Sequence, residues 1–284
     1  MTRLLEQPLD PPSAEALRQF IVSHLVVGLD SASVDGTTVE RSVDVGGRTH
    51  TAVIGWHPSG LVTVDSEADG EDAAVVAGAV SRWLDLPGPS DSELSVLTDS
   101  DRLAASVAAR PGLRIPGAIA GLETALFAVL GQQVSLAAAR TFAGRLVRFA
   151  GTDRGDGRFS SPSAARIAGA EPEEFRAALG ITRARARTVQ AVASAADGGL
   201  RLEPGADLIS ARRELMSLPG IGTWTTEYIA LRCLGDRDAF PAGDLILRRQ
   251  LGVVTEREAL ALGEAWRPAR GLALLHIWTD AVFV

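Results

Sequence analysis

Apolar positions recur at helical spacing early in the chain. Ala16, Phe20, His24 and Val27 share one face of a helix predicted over 13–27. The pattern then changes period. Residues 37–45, 49–56 and 61–66 alternate or run apolar, and Gly46-Gly47 and Pro58-Ser59-Gly60 separate them, which predicts an antiparallel meander. Helices are predicted over 70–85 and 99–109, before a Pro/Gly-punctuated connection, Arg110-Pro111-Gly112-Leu113-Arg114-Ile115-Pro116-Gly117. Beyond it every periodic segment is helical: 119–132, 135–150, 163–168, 172–179, 183–196, 206–217, 223–234, 245–251, 256–265 and 271–281. The expected fold class is therefore α+β, with a small antiparallel-sheet lobe over 1–112 and an all-α region over 113–284.

Composition supports two packed lobes. The chain has 284 residues, 46% of them hydrophobic and 22% charged, enough to bury a core in each half. No apolar run approaches about 18 residues, and the first turns lack a basic start followed by an apolar stretch, so a soluble cytoplasmic protein is expected. Cys233 is the single cysteine, which excludes an internal disulfide and any cysteine-ligated cluster. His24, His50, His57 and His276 are scattered without metal-ligand spacing.

Charge changes the picture once it is divided. The net of −7 is the sum of −10 over residues 1–110 and +3 over residues 111–284. An acidic chain is a poor candidate for binding nucleic acid, but here the acidity sits in the first lobe. All 28 basic residues are arginine, so no lysine is available for Schiff-base chemistry.

Two segments carry the candidate chemistry. In Met216-Ser217-Leu218-Pro219-Gly220-Ile221-Gly222-Thr223-Trp224 a helix ends, a tight Pro-Gly-x-Gly hairpin follows, and a second helix begins. Glycines there let a ligand approach the backbone, and free N–H groups at a helix N-terminus suit a phosphate. A plain connection between two helices explains the same residues about as well. Downstream, Phe240-Pro241-Ala242-Gly243-Asp244 precedes an apolar helical run, where an isolated Asp reads first as an N-cap.

The two segments together, in this order, resemble the helix-hairpin-helix/Gly-Pro-Asp superfamily of DNA glycosylases. Leu130-Gly131-Gln132-Gln133-Val134-Ser135, residues 111–117 and Leu274-Leu275-His276-Ile277-Trp278 narrow the resemblance to 3-methyladenine DNA glycosylase II. It covers about 111–280 and weakens before that, although Gln7-Pro8 and the helix with Phe20 are similar to that family's first lobe. The resemblance implies an enzyme that hydrolyses the N-glycosidic bond of alkylated bases in duplex DNA, acting as a monomer. It makes Asp244 the catalytic carboxylate, and Trp224, Tyr228, Trp278 and Phe20 the lining of the base pocket. It places Gln133 in the emptied base stack, and the N–H groups of Gly220 and Gly222 against a phosphate. No cofactor is required for chemistry; the carbonyls of Met216, Leu218 and Ile221 would hold a structural Na⁺ or K⁺.

Members that also cleave the strand carry their Schiff-base lysine where this chain has Trp224, which favours direct hydrolysis. Three positions depart from the family's pattern: Gln133 replaces an apolar wedge, Gly243 a second acidic residue, and Thr279 a second aromatic. These leave the preferred lesion open. Two other readings are a hairpin protein that binds DNA without chemistry, and a glycosylase for another lesion class.

Overall fold

A computed structural model describes residues 1–282. Strand β1 (Thr2–Pro8) leads into α1 (Pro11–Ser23), whose start is fixed by two prolines and by Asp10, which accepts from the Ser13 N–H at 3.0 Å. Strands β2 (Asp30–Ala32), β3 (Thr38–Val45), β4 (Arg48–Trp56) and β5 (Leu61–Ser66) follow. All five form one antiparallel sheet in the order β1-β5-β4-β3-β2. The β3–β4 hairpin closes on Gly46 and Gly47, at φ 56° and 82°, a pair of positive angles that favours glycine. Helix α2 (Gly70–Trp83) crosses the sheet and buries Val76, Ala79 and Val80.

The sheet is thus wider than the predicted meander by its two edge strands. β1 reads Thr-Arg-Leu-Leu-Glu-Gln-Pro and is half exposed, so it has little apolar alternation; pairing with β5 makes it a strand. The first helix stops at Ser23 rather than at 27, and the Asp30 carboxylate then takes the Val26 N–H at 2.7 Å. In place of one helix over 99–109 there are two, α3 (Asp91–Thr98) and α4 (Ala104–Ala109). The first begins in a capping box between Ser90 and Glu93, a signal present in the sequence that the apolar periodicity did not show.

The remaining helices fall close to their predicted places. They are α5 (Gly121–Leu130), α6 (Leu136–Ala150), α7 (Ala164–Ala168), α8 (Pro172–Leu179) and α9 (Arg183–Asp197). After these come α10 (Leu208–Ser217), α11 (Thr223–Arg232), α12 (Leu245–Leu251), α13 (Glu256–Gly263) and α14 (Arg270–Val282). Leu126, Leu130, Leu146, Ile167 and Phe175 are fully buried among α5 to α8. Among the described residues no helix is long and apolar enough to cross a membrane.

Buried charge and hydrogen bonds tie the lobes together. Arg41 of β3 pairs with Asp30 at 2.9 Å and with Glu123 of α5. Arg237, just past α11, holds Asp85 at 2.9 Å and Glu93 of α3 at 2.6 Å. Helix α4 packs on α14, where Ser106 Oγ lies 3.0 Å from His276 Nδ1. These contacts leave a cleft of about 640 Å³ walled by α1, α5, α6, α11 and α14.

Candidate active site

Helix α11 supplies one wall of the cleft. Trp224, Tyr228 and Arg232 stand four residues apart, so all three project from one helical face. The Trp224 and Tyr228 rings stack at 5.3 Å and 12°, and Trp278 of α14 meets Tyr228 at 6.4 Å and 44°. All three aromatics are half-buried and line the cleft, so part of each ring faces open space.

Asp244 lies at the edge of this aromatic wall. It caps α12, with Oδ1 accepting from the Leu247 N–H at 2.9 Å. Oδ1 also accepts from the Trp278 indole N–H at 3.1 Å, and Oδ2 from the Trp224 indole N–H at 3.0 Å. Three donors from three segments fix the carboxylate in the cleft. The N-cap reading of Asp244 was therefore correct as local structure, and it does not compete with a place in the site.

Phe20 is buried and belongs to the same cleft. Its ring stacks on His24 at 4.3 Å and 19°, and the Arg232 guanidinium sits 4.9 Å from its centroid. Burial, with the Arg232 charge adding to it, pushes the His24 imidazole down to about 4. Motif matching found neither His24 nor Arg232. Both fall at helical spacing from residues it did select: His24 four after Phe20, and Arg232 four after Tyr228.

The hairpin between α10 and α11 lies beside this wall. Gly220 has φ 80°, and a side chain there would collide with Thr188 of α9. Gly222 is the N-cap of α11 with open space around its α-carbon. Neither glycine N–H has a hydrogen-bond partner among the described residues. The carbonyls of Met216 and Ile221 accept no hydrogen bond there either, whereas the Leu218 carbonyl takes the Ile221 N–H at 3.2 Å. Two bare carbonyls and one partly used suit a cation that coordinates backbone oxygen.

Gln133 is exposed, at φ 54°, in the turn between α5 and α6. A side-chain residue with positive φ is uncommon and marks a turn held by its surroundings. Gln132 does the holding: its amide donates to the Gly220 carbonyl at 3.2 Å and to Thr225 Oγ1 at 2.9 Å, and its own carbonyl accepts from Arg185. Of the remaining departures, Thr279 is buried in α14 and neither it nor Gly243 lines the cleft.

Comparisons with known proteins agree with this geometry. Residues 6–120 match the AlkA N-terminal domain, and residues 126–256 match the HhH-GPD superfamily base excision DNA repair protein family. A Mycobacterium tuberculosis protein named probable bifunctional transcriptional activator/DNA repair enzyme AlkA is 43% identical over 220 residues, 74% of this chain and 44% of that one. The Escherichia coli DNA-3-methyladenine glycosylase 2 is 36% identical over 174 residues, 60% of this chain and 61% of that one. The chain thus spans less than two thirds of the length of either relative. In fold it is similar to a 3-methyladenine DNA-glycosylase from Archaeoglobus fulgidus, with a TM-score of 0.83 at 21% identity over 100% of this chain and 99% of that one. With both signatures in this order, the chain carries an AlkA N-terminal domain followed by a domain of the HhH-GPD superfamily of base excision DNA repair proteins.

Proposed function

We propose that this chain is a monofunctional DNA glycosylase that hydrolyses the N-glycosidic bond of alkylated bases in duplex DNA. The observation that carries the reading is the Asp244 carboxylate, held by two indole N–H groups at the edge of an aromatic cleft. Alkylation makes a purine a good leaving group, so the enzyme's main task is to stabilise an electron-poor sugar. A fixed anion does this, and it can also orient the attacking water. The base to be removed has to leave the stack to reach such a cleft. Trp224, Tyr228 and Trp278 would receive it on their faces.

The hairpin has a separate task. The free N–H groups of Gly220 and Gly222, at the positive end of α11, suit a DNA phosphate, a contact that holds register without reading sequence. A Na⁺ or K⁺ held by the Met216, Leu218 and Ile221 carbonyls would add positive charge for the same phosphate. Gln133, on its strained turn, would enter the space vacated by the base.

Release of free base from methylated duplex DNA, with products separated by chromatography, tests the activity. Recovery of 3-methyladenine or 7-methylguanine is expected, and none would leave a hairpin protein that binds DNA without chemistry or a glycosylase for another lesion class. The monofunctional part rests on the absence of lysine from the chain and on Trp224 at the hairpin position. The product strand should stay intact until alkali or heat is applied, and borohydride should trap no adduct at any side chain. A trapped side-chain adduct would refute direct hydrolysis.

A further inference from the structure

Arg232 is a cation without a counter-ion in the wall of the cleft. It is 7% exposed, and its guanidinium is spent on neutral acceptors: Nε on the Pro116 carbonyl, Nη2 on the Gly117 carbonyl at 3.2 Å, Nη1 on the Tyr228 hydroxyl at 2.7 Å. It forms no ion pair among the described residues; of the three carboxylates that also line the cleft, Asp30 and Glu123 are engaged by Arg41, and Asp244 by the indole N–H groups of Trp224 and Trp278. Buried arginines are ordinarily paired, because an uncompensated buried charge is costly. The neighbouring His24 is held neutral by burial, and Arg140, which donates to the Leu25 carbonyl at 2.7 Å, is only half-buried. Arg232 is therefore the best-desolvated positive charge bonded to the aromatic wall.

Its position along α11 gives that charge a direction. The stripe runs from Trp224, bonded to Asp244, through Tyr228 to Arg232, which lies about 12 Å further along the axis at a rise of about 1.5 Å per residue. One end of the wall holds an anion and the other a cation. A base resting on Trp224 and Tyr228 with its sugar toward Asp244 lies within this field, an arrangement that rests on the reading proposed above.

We propose that Arg232 is an electrostatic determinant of this site, driving charge off the bound base and toward the sugar as the glycosidic bond breaks. In that step the bond between sugar C1′ and the base nitrogen cleaves, and its electron pair leaves with the base. C1′ becomes cationic near Asp244 and gains the water oxygen, whose proton passes to the Asp244 carboxylate and then to solvent. The base becomes more negative by one unit whether it starts as a cation or neutral. Arg232 favours that change in both cases, by on the order of tenfold in rate for charge moved several ångströms from a cation at an effective dielectric constant of about 20. It also weakens binding of a cationic base before the bond breaks, offsetting the attraction of the aromatic faces.

The proposal makes a distinctive split between binding and chemistry. Single-turnover rates at saturating enzyme, and half-saturating concentrations, are measured on duplexes with 7-methylguanine (cationic) and hypoxanthine (neutral). In Arg232→Gln the saturating rate should fall by on the order of tenfold for both lesions. The half-saturating concentration should fall only for the cationic one. Arg232→Lys, which keeps the charge and loses the planar fork, should retain the wild-type ratio of the two half-saturating concentrations. A glutamine variant that binds both lesions equally worse, or a lysine variant as defective as glutamine, overturns the proposal.

Binding by the wild-type protein settles the matter even where the glutamine variant does not fold or no base is released. It is compared on non-hydrolysable 2′-fluorinated 7-methylguanosine in duplex DNA and on the neutral 7-deaza-7-methyl isostere. An unopposed aromatic wall would favour the cation by about threefold or more per ring. With Arg232 in the wall the two should bind alike, and a clear preference for the cation counts against the proposal. Absence of base release by wild type is a separate outcome, which ends the glycosylase reading alone.

Discussion

The two oxygens of Asp244 are engaged differently. Oδ1 takes the Leu247 N–H and the Trp278 indole, while Oδ2 takes only the Trp224 indole. Replacing the residue with Asn keeps an acceptor for the cap and removes the charge. Asp244→Asn should therefore leave the thermal midpoint nearly unchanged and retain binding to abasic-site DNA. Base release should drop by about 10² or more, the usual cost of losing one fixed group aimed at developing charge. Near-normal turnover in this variant would remove Asp244 from the chemistry. At this scale the sequence was legible where a residue type is rare and chemically loaded: Trp224, Tyr228, Trp278 and Asp244 all reach the cleft. It was opaque where role depends on what lies opposite. Nothing in the chain distinguishes Arg232 from 27 other arginines until Pro116, Gly117 and Tyr228 are seen around it. Gln132 was likewise passed over for Gln133, because only the folded turn shows which amide points back to Gly220.

At the level of elements, the hairpin between α10 and α11 separates two kinds of glycine. Gly220 has φ 80° and abuts Thr188, so Gly220→Ala adds a collision to a backbone angle that disfavours side chains. Gly222 sits at φ −110° with nothing near its α-carbon, so Gly222→Ala loses only the preference for glycine at an N-cap. The first change should lower the thermal midpoint and DNA affinity together. The second should leave stability within about 1 kcal/mol and weaken DNA binding alike for every sequence, if the new methyl group meets a phosphate. Calorimetry and binding to two unrelated duplexes check both, and unchanged affinity in both variants would make the hairpin a structural turn only. The helices of the second lobe were readable because they carry their own caps and apolar stripes, as in Ser135 before α6 and Thr182 before α9. The edge strands β1 and β2 were not, since a short, half-exposed strand is made by its partner more than by its own residues.

For the molecule as a whole, the junction between lobes is unusually rich in buried charge and neutral imidazole, and this sets how stability responds to acid. His276, fully buried beside Ser106, and His24, stacked on Phe20, are each pushed by burial from 6.5 to about 4. Below pH 6.5 the unfolded chain binds protons at both positions that the native protein refuses until about pH 4. Native stability is therefore complete above about 6.5 and falls as pH drops toward 4, by on the order of 2 kcal/mol per imidazole at pH 5. Glu123 works the other way. Burial raises its pKa despite the Arg41 pair, so the folded protein takes up that proton first and gains stability as pH falls. The carboxylates held low by hydrogen bonds, Glu15 by Arg18 and Glu93 by the Ser90 N–H and then Arg237, lose their contribution only below their ordinary value of 4.5. The window between pH 7 and pH 5 thus isolates the histidines, with Glu123 opposing them. Urea unfolding at the two pH values should show a marked loss for the wild-type protein and a clearly smaller one for the double variant His24→Gln/His276→Gln. The comparison is between slopes, so a lower starting stability in the variant does not blur it. Equal losses in both proteins would mean that the imidazoles are not what acid attacks.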